Sequence, residues 1–252
     1  MKEIVYTPRG YWDRRYREGR TSGAGSEGDE GRYKAGYVNS LIAAHNVTSV
    51  IDWGCGDGQV LELLQVGPAH SPYVAYTGVD VSPTILDRNR KLFREFVFAT
   101  PDEALVPNRE WTAELALSMD VLFHLPDDDD YFAYLNHLFN SATRFVLVYS
   151  TNYAGGRTAR HVLRREFTPD VAKHFPEWRL RLVETPLREG LASFFWYEKI
   201  ALWLHSPSRS WRTPSANSSS LNWWSVLGSN PKTWYGTTTT PGGTLAAERG
   251  RQ

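Results

Sequence analysis

The residues best placed to do chemistry lie in one short stretch, Asp52-Trp53-Gly54-Cys55-Gly56-Asp57-Gly58. Three glycines in alternation let a backbone turn sharply and let a ligand approach with no Cβ in the way. Downstream, Asp80 closes the apolar run Tyr76-Thr77-Gly78-Val79, where an ionised carboxylate suits two vicinal hydroxyls. Hydrogen bonds to a charged group contribute roughly 1.5–3 kcal/mol each. Two histidines suit proton transfer: His124, four residues after Asp120, and His161, within a run rich in arginine. Each also has a bland reading, His124 as a packed ring bonded to a carbonyl and His161 as part of a solvated basic face.

These groups need elements to hold them. Ser49–Trp53 reads as a short buried strand stopped by the glycine turn, and Val60, Leu61, Leu63 and Leu64 place a helix directly after it. Val74–Val79 reads as a second strand. Ser82-Pro83 caps and opens a helix to about Phe96, because serine suits the cap and proline the first helical position. Phe96–Ala99 is a short third strand, Glu114–Met119 a fourth and Arg144–Tyr149 a fifth, with a helix from about Asp128 to Ser141. A helix over Tyr33–His45 precedes this series. A short helix at Pro169–Phe175 and paired strands Leu180–Glu184 and Ala192–Ile200 follow it. Strands alternating with helices predict a three-layer α/β, Rossmann-like, seven-stranded and mostly parallel sheet, its closing hairpin adding an antiparallel strand at the edge. In such sheets ligands bind at the carboxyl ends of the strands, where Asp52, Asp80 and Asp120 all fall.

Two cofactor classes use such a turn. A dinucleotide turn, Gly-x-Gly-x-x-Gly, needs glycine at its sixth position, where this chain has Gln59. Asp57 would also set a carboxylate against a pyrophosphate. A zwitterionic amino-acid cofactor carries an ammonium that acidic side chains hold, so the turn favours S-adenosyl-L-methionine over NAD.

Val50-Ile51-Asp52-Trp53-Gly54-Cys55-Gly56-Asp57-Gly58 and Gly78-Val79-Asp80-Val81-Ser82 resemble the first two motifs of class I S-adenosylmethionine-dependent methyltransferases. Asp120-Val121-Leu122-Phe123-His124-Leu125 resembles their fourth, and the agreement spans about residues 10–200. Tyr11–Tyr16, Ser22–Ser26 and Val148–Asn152 look like an uncharacterised bacterial group of these enzymes, often linked to glycan or secondary-metabolite gene clusters. The resemblance implies that Asp52 and Gly54 contact the amino-acid end of the cofactor and that Asp80 holds the ribose, while Gly56 and Gly58 belong to the same cofactor-binding turn. It further implies that Val81 packs on adenine, that Asp120 lies beside the methyl donor, and that the Ser22–Ser26 loop closes over it.

Methyl transfer to a hydroxyl requires alignment, exclusion of water and a base. His124 leads as that base, with Asp120 to orient it or to touch the cofactor, and His161 is the second candidate. Gly155 and Gly156 suggest a lid over the acceptor. Arg157, Arg160, Arg164 and Arg165 suit an acidic substrate or a solvated face, and Asn152 is placed to reach an acceptor hydroxyl. Asp127–Asp130 reads as a helix cap rather than a metal site, since negative charge complements the helix dipole; no metal is expected. Cys55 reads as a small packing residue.

Composition narrows the classes. The 28 basic and 28 acidic residues cancel, which leaves no overall basic footprint for nucleic acid. A single cysteine excludes an internal disulfide. No apolar stretch follows Met1-Lys2-Glu3, and the run Phe194–His205 is interrupted by Glu198 and Lys199. The expectation is a cytoplasmic enzyme with a small-molecule acceptor, a sugar or related metabolite, and no membrane partner. The sequence does not specify an oligomeric state. Residues 1–33 read as a cap or lid, 34–205 as the methyltransferase domain, and 206–252, rich in Ser, Thr, Gly and Pro, as a disordered tail. An NAD(P)-dependent oxidoreductase and a non-catalytic cofactor-binding or interaction module are the competing readings.

Overall fold

The computed structural model describes residues 6–104, 111–185 and 192–200. The chain divides at Ser208, and the whole of the expected tail, 206–252, lies outside the described residues. Fifteen elements carry the described fold: α1 (Pro8–Arg17), α2 (Gly28–His45), β1 (Ser49–Trp53), β2 (Ala75–Val79), α3 (Pro83–Leu92), β3 (Val97–Ala99), α4 (Pro101–Ala104), β4 (Ala113–Met119), α5 (Asp128–Asn140), β5 (Ala142–Thr151), β6 (Gly156–Ala159), β7 (Val162–Arg164), α6 (Thr168–His174), β8 (Trp178–Glu184) and β9 (Ala192–Lys199).

Seven strands form one sheet in the order β3-β2-β1-β4-β5-β9-β8. The first five run parallel, and β9 is antiparallel to both β5 and β8, so the closing hairpin supplies the antiparallel strand at that end. Strands covered on both faces need apolar residues at successive positions, and Phe145–Tyr149 of β5 is buried without a break.

The two-residue period of β1 sorts its side chains. Val50 faces a core built with Val38, Leu41 and Ile42 of α2, and Leu86 of α3. Ile51 and Trp53 face the opposite core, with Leu135, Leu138 and Phe139 of α5. The same alternation sends Asp52 to the α2/α3 side, where its Oδ2 accepts from the Tyr76 hydroxyl at 2.9 Å.

The local signals act as expected at two helices. Ser82 caps α3 by accepting from Ile85 N, with Pro83 at the first position. Asp127 caps α5, accepting from Asp129 N and Asp130 N, so this acidic run is the cap it was read as. Asn46, at φ 49°, closes α2.

At four places the elements differ from, or add to, the sequence reading. The helix after the glycine turn is a single 3-10 turn, Leu61–Leu63. Leu64 leaves that turn in an extended conformation, so the segment between the positive-φ residues Gly58 and Gly67 does not continue as an α-helix. Residues 8–17 within the cap form α1, capped by Thr7 with Pro8 at its start. The helix expected from Tyr33 begins at Gly28. The Gly155-Gly156 segment opens an antiparallel hairpin, β6–β7, packed against the turn Leu122–His124.

Candidate active site

At the carboxyl ends of β1, β2 and β4 lies a cavity of about 630 Å³. That is within the range of about 300–1,000 Å³ expected for small-molecule sites. Its floor is the glycine turn. Gly54, Gly56 and Gly58 all hold positive φ, at 86°, 57° and 81°. A Cβ on Gly54 would overlap Val121 Cγ2, and one on Gly56 would overlap Ser22 Oγ. The turn therefore requires glycine both for its conformation and for its close neighbours. Asn89, fully buried on α3, donates to Gly56 O at 2.8 Å and fixes the turn from below.

Two carboxylates face this floor. Asp80 Oδ2 accepts from Gly56 N at 3.1 Å and Oδ1 from Ser82 N at 2.9 Å. Desolvation raises its pKa to about 6, against the hydrogen bonds from Ser82 and Gly56. Asp52 is raised to about 6 mainly by burial, and its Oδ1 is buried with no hydrogen-bond partner. A buried acceptor without a donor is costly, so the site is built to receive a donor there. Arg9, more than half exposed, is the sole Lys or Arg among the described lining residues. A pyrophosphate would meet carboxylates on the turn with almost no countercharge, whereas a ligand bearing an ammonium and ribose hydroxyls fits them.

The cap covers this floor through α1 and the loop that follows. Asp13 Oδ1 accepts from Ser82 Oγ at 2.8 Å and Thr84 N at 3.2 Å, which pins α1 to the start of α3. Burial opposes ionisation of Asp13, but hydrogen bonds from Thr84, Ser82 and Arg17 prevail and hold its pKa near 2. The loop is tied by reciprocal bonds: Ser22 N donates to Asp57 Oδ2 at 2.8 Å, and Asp57 N donates to Ser22 Oγ at 3.0 Å. Gln59 also donates to Asp57 Oδ2. The two residues that argued against a dinucleotide thus hold the loop to the turn.

Asp120 occupies the end of β4 at φ 59°, a conformation a short polar residue tolerates. Its carboxylate pairs with the buried Lys34 ammonium, which lies 5.0 Å from the centre of the Tyr149 ring. Gly25 of the loop sits directly over this pair, where a Cβ would come within 2.7 Å of Asp120 Oδ2.

His124 lines the cavity, and its ring bonds to the chain rather than to Asp120. Nδ1 lies 3.1 Å from the His161 carbonyl, a contact it can make only as donor, so Nε2 keeps the lone pair. The Tyr6 hydroxyl donates to the His124 carbonyl at 2.9 Å. Burial lowers the His124 pKa to about 4, against the bond from His161, so the imidazole is neutral at ordinary pH. His161 stacks on it, with centroids 5.4 Å apart, and Tyr11 stacks on His161 at 4.5 Å. The His161 ring is absent from the described cavity lining, so its carbonyl is what acts on the site.

Of the expected site residues, Asp52, Gly54, Gly56, Asp80, Val81, Asp120 and His124 line one cavity. Gly58 supports the turn from outside it, where a Cβ would strike Phe93. Asn152 is corrected: its Oδ1 accepts from Phe167 N and Thr168 N, so it tethers the start of α6. Of the four arginines, Arg165 pairs with Asp128, while Arg157, Arg160 and Arg164 share the β6–β7 hairpin, where Arg157 and Arg160 are exposed. Lys34, Trp12 and Asn89 were not anticipated. Lys34 sits at a helix position where lysine normally reads as surface, and no sequence signal distinguished it.

Fold and site together define a nucleotide-type cofactor enzyme with a glycine cradle and acidic anchors. The sequence matches the family described as "Methyltransferase domain" over residues 24–206. The chain belongs to this family and is a class I S-adenosylmethionine-dependent methyltransferase. No curated protein sequence matches it. Among solved structures, it is similar to the methyltransferase domain of bacterial CtHen1, with a TM-score of 0.54 and 21% identity over 68% of this chain and 98% of that one. It also resembles the Burkholderia thailandensis 1,6-didemethyltoxoflavin-N1-methyltransferase with bound 1,6-didemethyltoxoflavin and S-adenosylhomocysteine (TM-score 0.56, 16% identity, 80% and 94% covered). A third is the N-methyltransferase NodS from Bradyrhizobium japonicum WM9 in complex with S-adenosylhomocysteine (0.51, 15%, 67% and 87%). At these identities the likeness concerns the fold. Among the described residues no helix is long and apolar enough to cross a membrane.

Proposed function

We propose that this enzyme methylates an oxygen of a small metabolite held under α1, with residues 1–33 as the cap of a 34–205 catalytic domain in a cytoplasmic protein. One observation carries the reading. The neutral His124 imidazole, its proton committed to Nδ1, lies in the same cavity as Asp52, Asp80 and the glycine cradle. S-adenosylmethionine, when bound, supplies a sulfonium-linked methyl group open to an in-line nucleophile.

Asp80 accepts hydrogen bonds from the ribose hydroxyls, and Gly54, Gly56 and the free Asp52 Oδ1 hold the amino-acid end. Val81 packs on adenine, and Asp120, fixed by Lys34, borders the donor. The closed Ser22–Ser26 loop excludes water. His124 Nε2 accepts the acceptor's hydroxyl proton, the contribution of such a base being about 10²–10⁴ in rate. A sugar or related metabolite is the class expected from the sequence, and the similar NodS and toxoflavin enzymes are named N-methyltransferases.

The test is a transfer screen against nucleotide sugars, phenols and amines, read as S-adenosylhomocysteine formed. Turnover confined to oxygen acceptors and lost in His124→Ala supports the reading. Full turnover in that variant would dismiss the base.

A further inference from the structure

We propose that the acceptor is a planar aromatic or heteroaromatic ring bearing an acidic hydroxyl, its face against Trp12 or Phe123 and its O–H directed to His124 Nε2. This rests on the methyltransferase reading and narrows its acceptor class away from sugars.

The first ground is the lining around His124. Pro8, Trp12, Phe123, Leu125 and Ala133 present apolar surface, while Arg9 and Asp130 are exposed at the rim. A polyhydroxylated ring that is desolvated here needs a polar partner for each buried hydroxyl, and each one left without costs about 1–3 kcal/mol. Several other polar side chains of the lining are already engaged, Tyr134 with Trp53 O and Ser118, Thr7 with Gly10 N, Tyr16 with Ser22 and Asp120 with Lys34. A flat ring needs only one, and loses its apolar faces against aromatic side chains.

The second ground is how rigidly that one partner is aimed. Trp12 meets the His124 ring edge-on, with centroids 5.1 Å apart and planes at 81°, and Phe123 lies 4.6 Å away on the same ring. Behind it, the parallel layers of His161 and Tyr11 fill the space, and Tyr6 pins the backbone. The ring has one hydrogen-bonding nitrogen to offer and little freedom to turn it.

The third ground is the proton balance. As the oxygen–methyl bond forms, the methyl–sulfur bond breaks with its electron pair going to sulfur. The hydroxyl proton passes to Nε2, so the positive charge leaves sulfur and ends on the imidazolium. Burial makes His124 a weak base, near 4. An aromatic hydroxyl such as tyrosine's ionises near about 10, whereas one no more acidic than water does so near about 16. The larger gap falls on the sugar.

The experiment uses the full chain with S-adenosylmethionine and three acceptor panels at equal concentration: phenols and hydroxylated heteroaromatics, hexoses with nucleotide sugars, and primary amines. The aromatic panel is expected to turn over at least tenfold faster than either other. Phe123→Ala should raise KM for the preferred aromatic about tenfold and leave S-adenosylhomocysteine affinity within twofold. In His124→Gln, phenol should lose about a hundredfold in kcat, while the already ionised 4-nitrophenol at pH 8 loses less than tenfold. Preference for sugars or amines, silence in all panels by enzyme that binds S-adenosylhomocysteine, or equal losses for phenol and 4-nitrophenol would overturn the proposal. Failure of the wild-type chain to bind S-adenosylhomocysteine would instead refute the methyltransferase reading beneath it.

Discussion

Asp120→Asn isolates the charge of the Lys34–Asp120 pair, because asparagine tolerates the same positive φ and nearly the same volume. The Lys34 side chain is 1% exposed and that of Asp120 is 24% exposed, so the substitution leaves an ammonium buried without its anion. Removing one partner of a buried pair typically costs about 3–5 kcal/mol. The Tyr149 ring, 5.0 Å from Lys34 Nζ, offsets part of this, since a desolvated cation–π contact contributes about 2 kcal/mol. The net loss should be about 1–3 kcal/mol. At roughly 2–4 °C per kcal/mol for a domain of this size, Tm falls by roughly 2–12 °C. Urea melts of wild type, Asp120→Asn, Lys34→Met and the double variant read it directly. The double variant should recover at least half of the Asp120→Asn loss, because no charge then remains buried. A stability of Asp120→Asn within about 0.5 kcal/mol of wild type, or a double variant no better than it, would refute this account.

Asp13→Ala frees α1 from Ser82 and Thr84; it should raise the Kd for S-adenosylhomocysteine and speed proteolytic cleavage within residues 8–27, read by calorimetry and limited trypsin digestion. Asp52 and Asp80 hold pKa values near 6, so affinity for the cationic donor should fall as pH drops from 7 to 5, and Asp52→Asn should flatten that profile in a titration series. These raised carboxylates favour the folded state below pH 4, and that contribution is lost as pH rises through 6. His124 works the other way: its folded pKa near 4 lies below the unfolded value of about 6.5, so stability falls from pH 6.5 towards 4, and His124→Gln should remove that slope from pH-dependent urea melts.

The centre of the sheet was legible because β1, β2 and β4 are largely apolar runs closed by glycine or aspartate, and β5 carries the unbroken run Phe145–Tyr149, whereas β8 alternates with Arg179 and Arg181. The cofactor end was legible for a related reason: only glycine satisfies three positive φ values, and acidic residues at strand ends have few other uses. The segment after Gly58 misled because Leu61, Leu63 and Leu64 have helical spacing, yet the chain makes a single 3-10 turn and extends at Leu64. Helix α1 went unread although Thr7-Pro8 is a helix-start signal, since its polar residues outnumber its anchors. The partners of the site residues were not legible. His124 meets a carbonyl 37 residues away and Asp120 a lysine 86 residues away, and no local pattern encodes pairings that the fold alone brings together.

The central claim is that the glycine cradle and its carboxylates hold S-adenosylmethionine, and calorimetry on the full chain with S-adenosylmethionine, S-adenosylhomocysteine and NAD tests it most directly. The account predicts saturable binding of both sulfur ligands at one site per chain, lost or greatly weakened in Asp80→Ala, and no binding of NAD. Binding of NAD but of neither sulfur ligand, or sulfur-ligand binding untouched by Asp80→Ala, would contradict it.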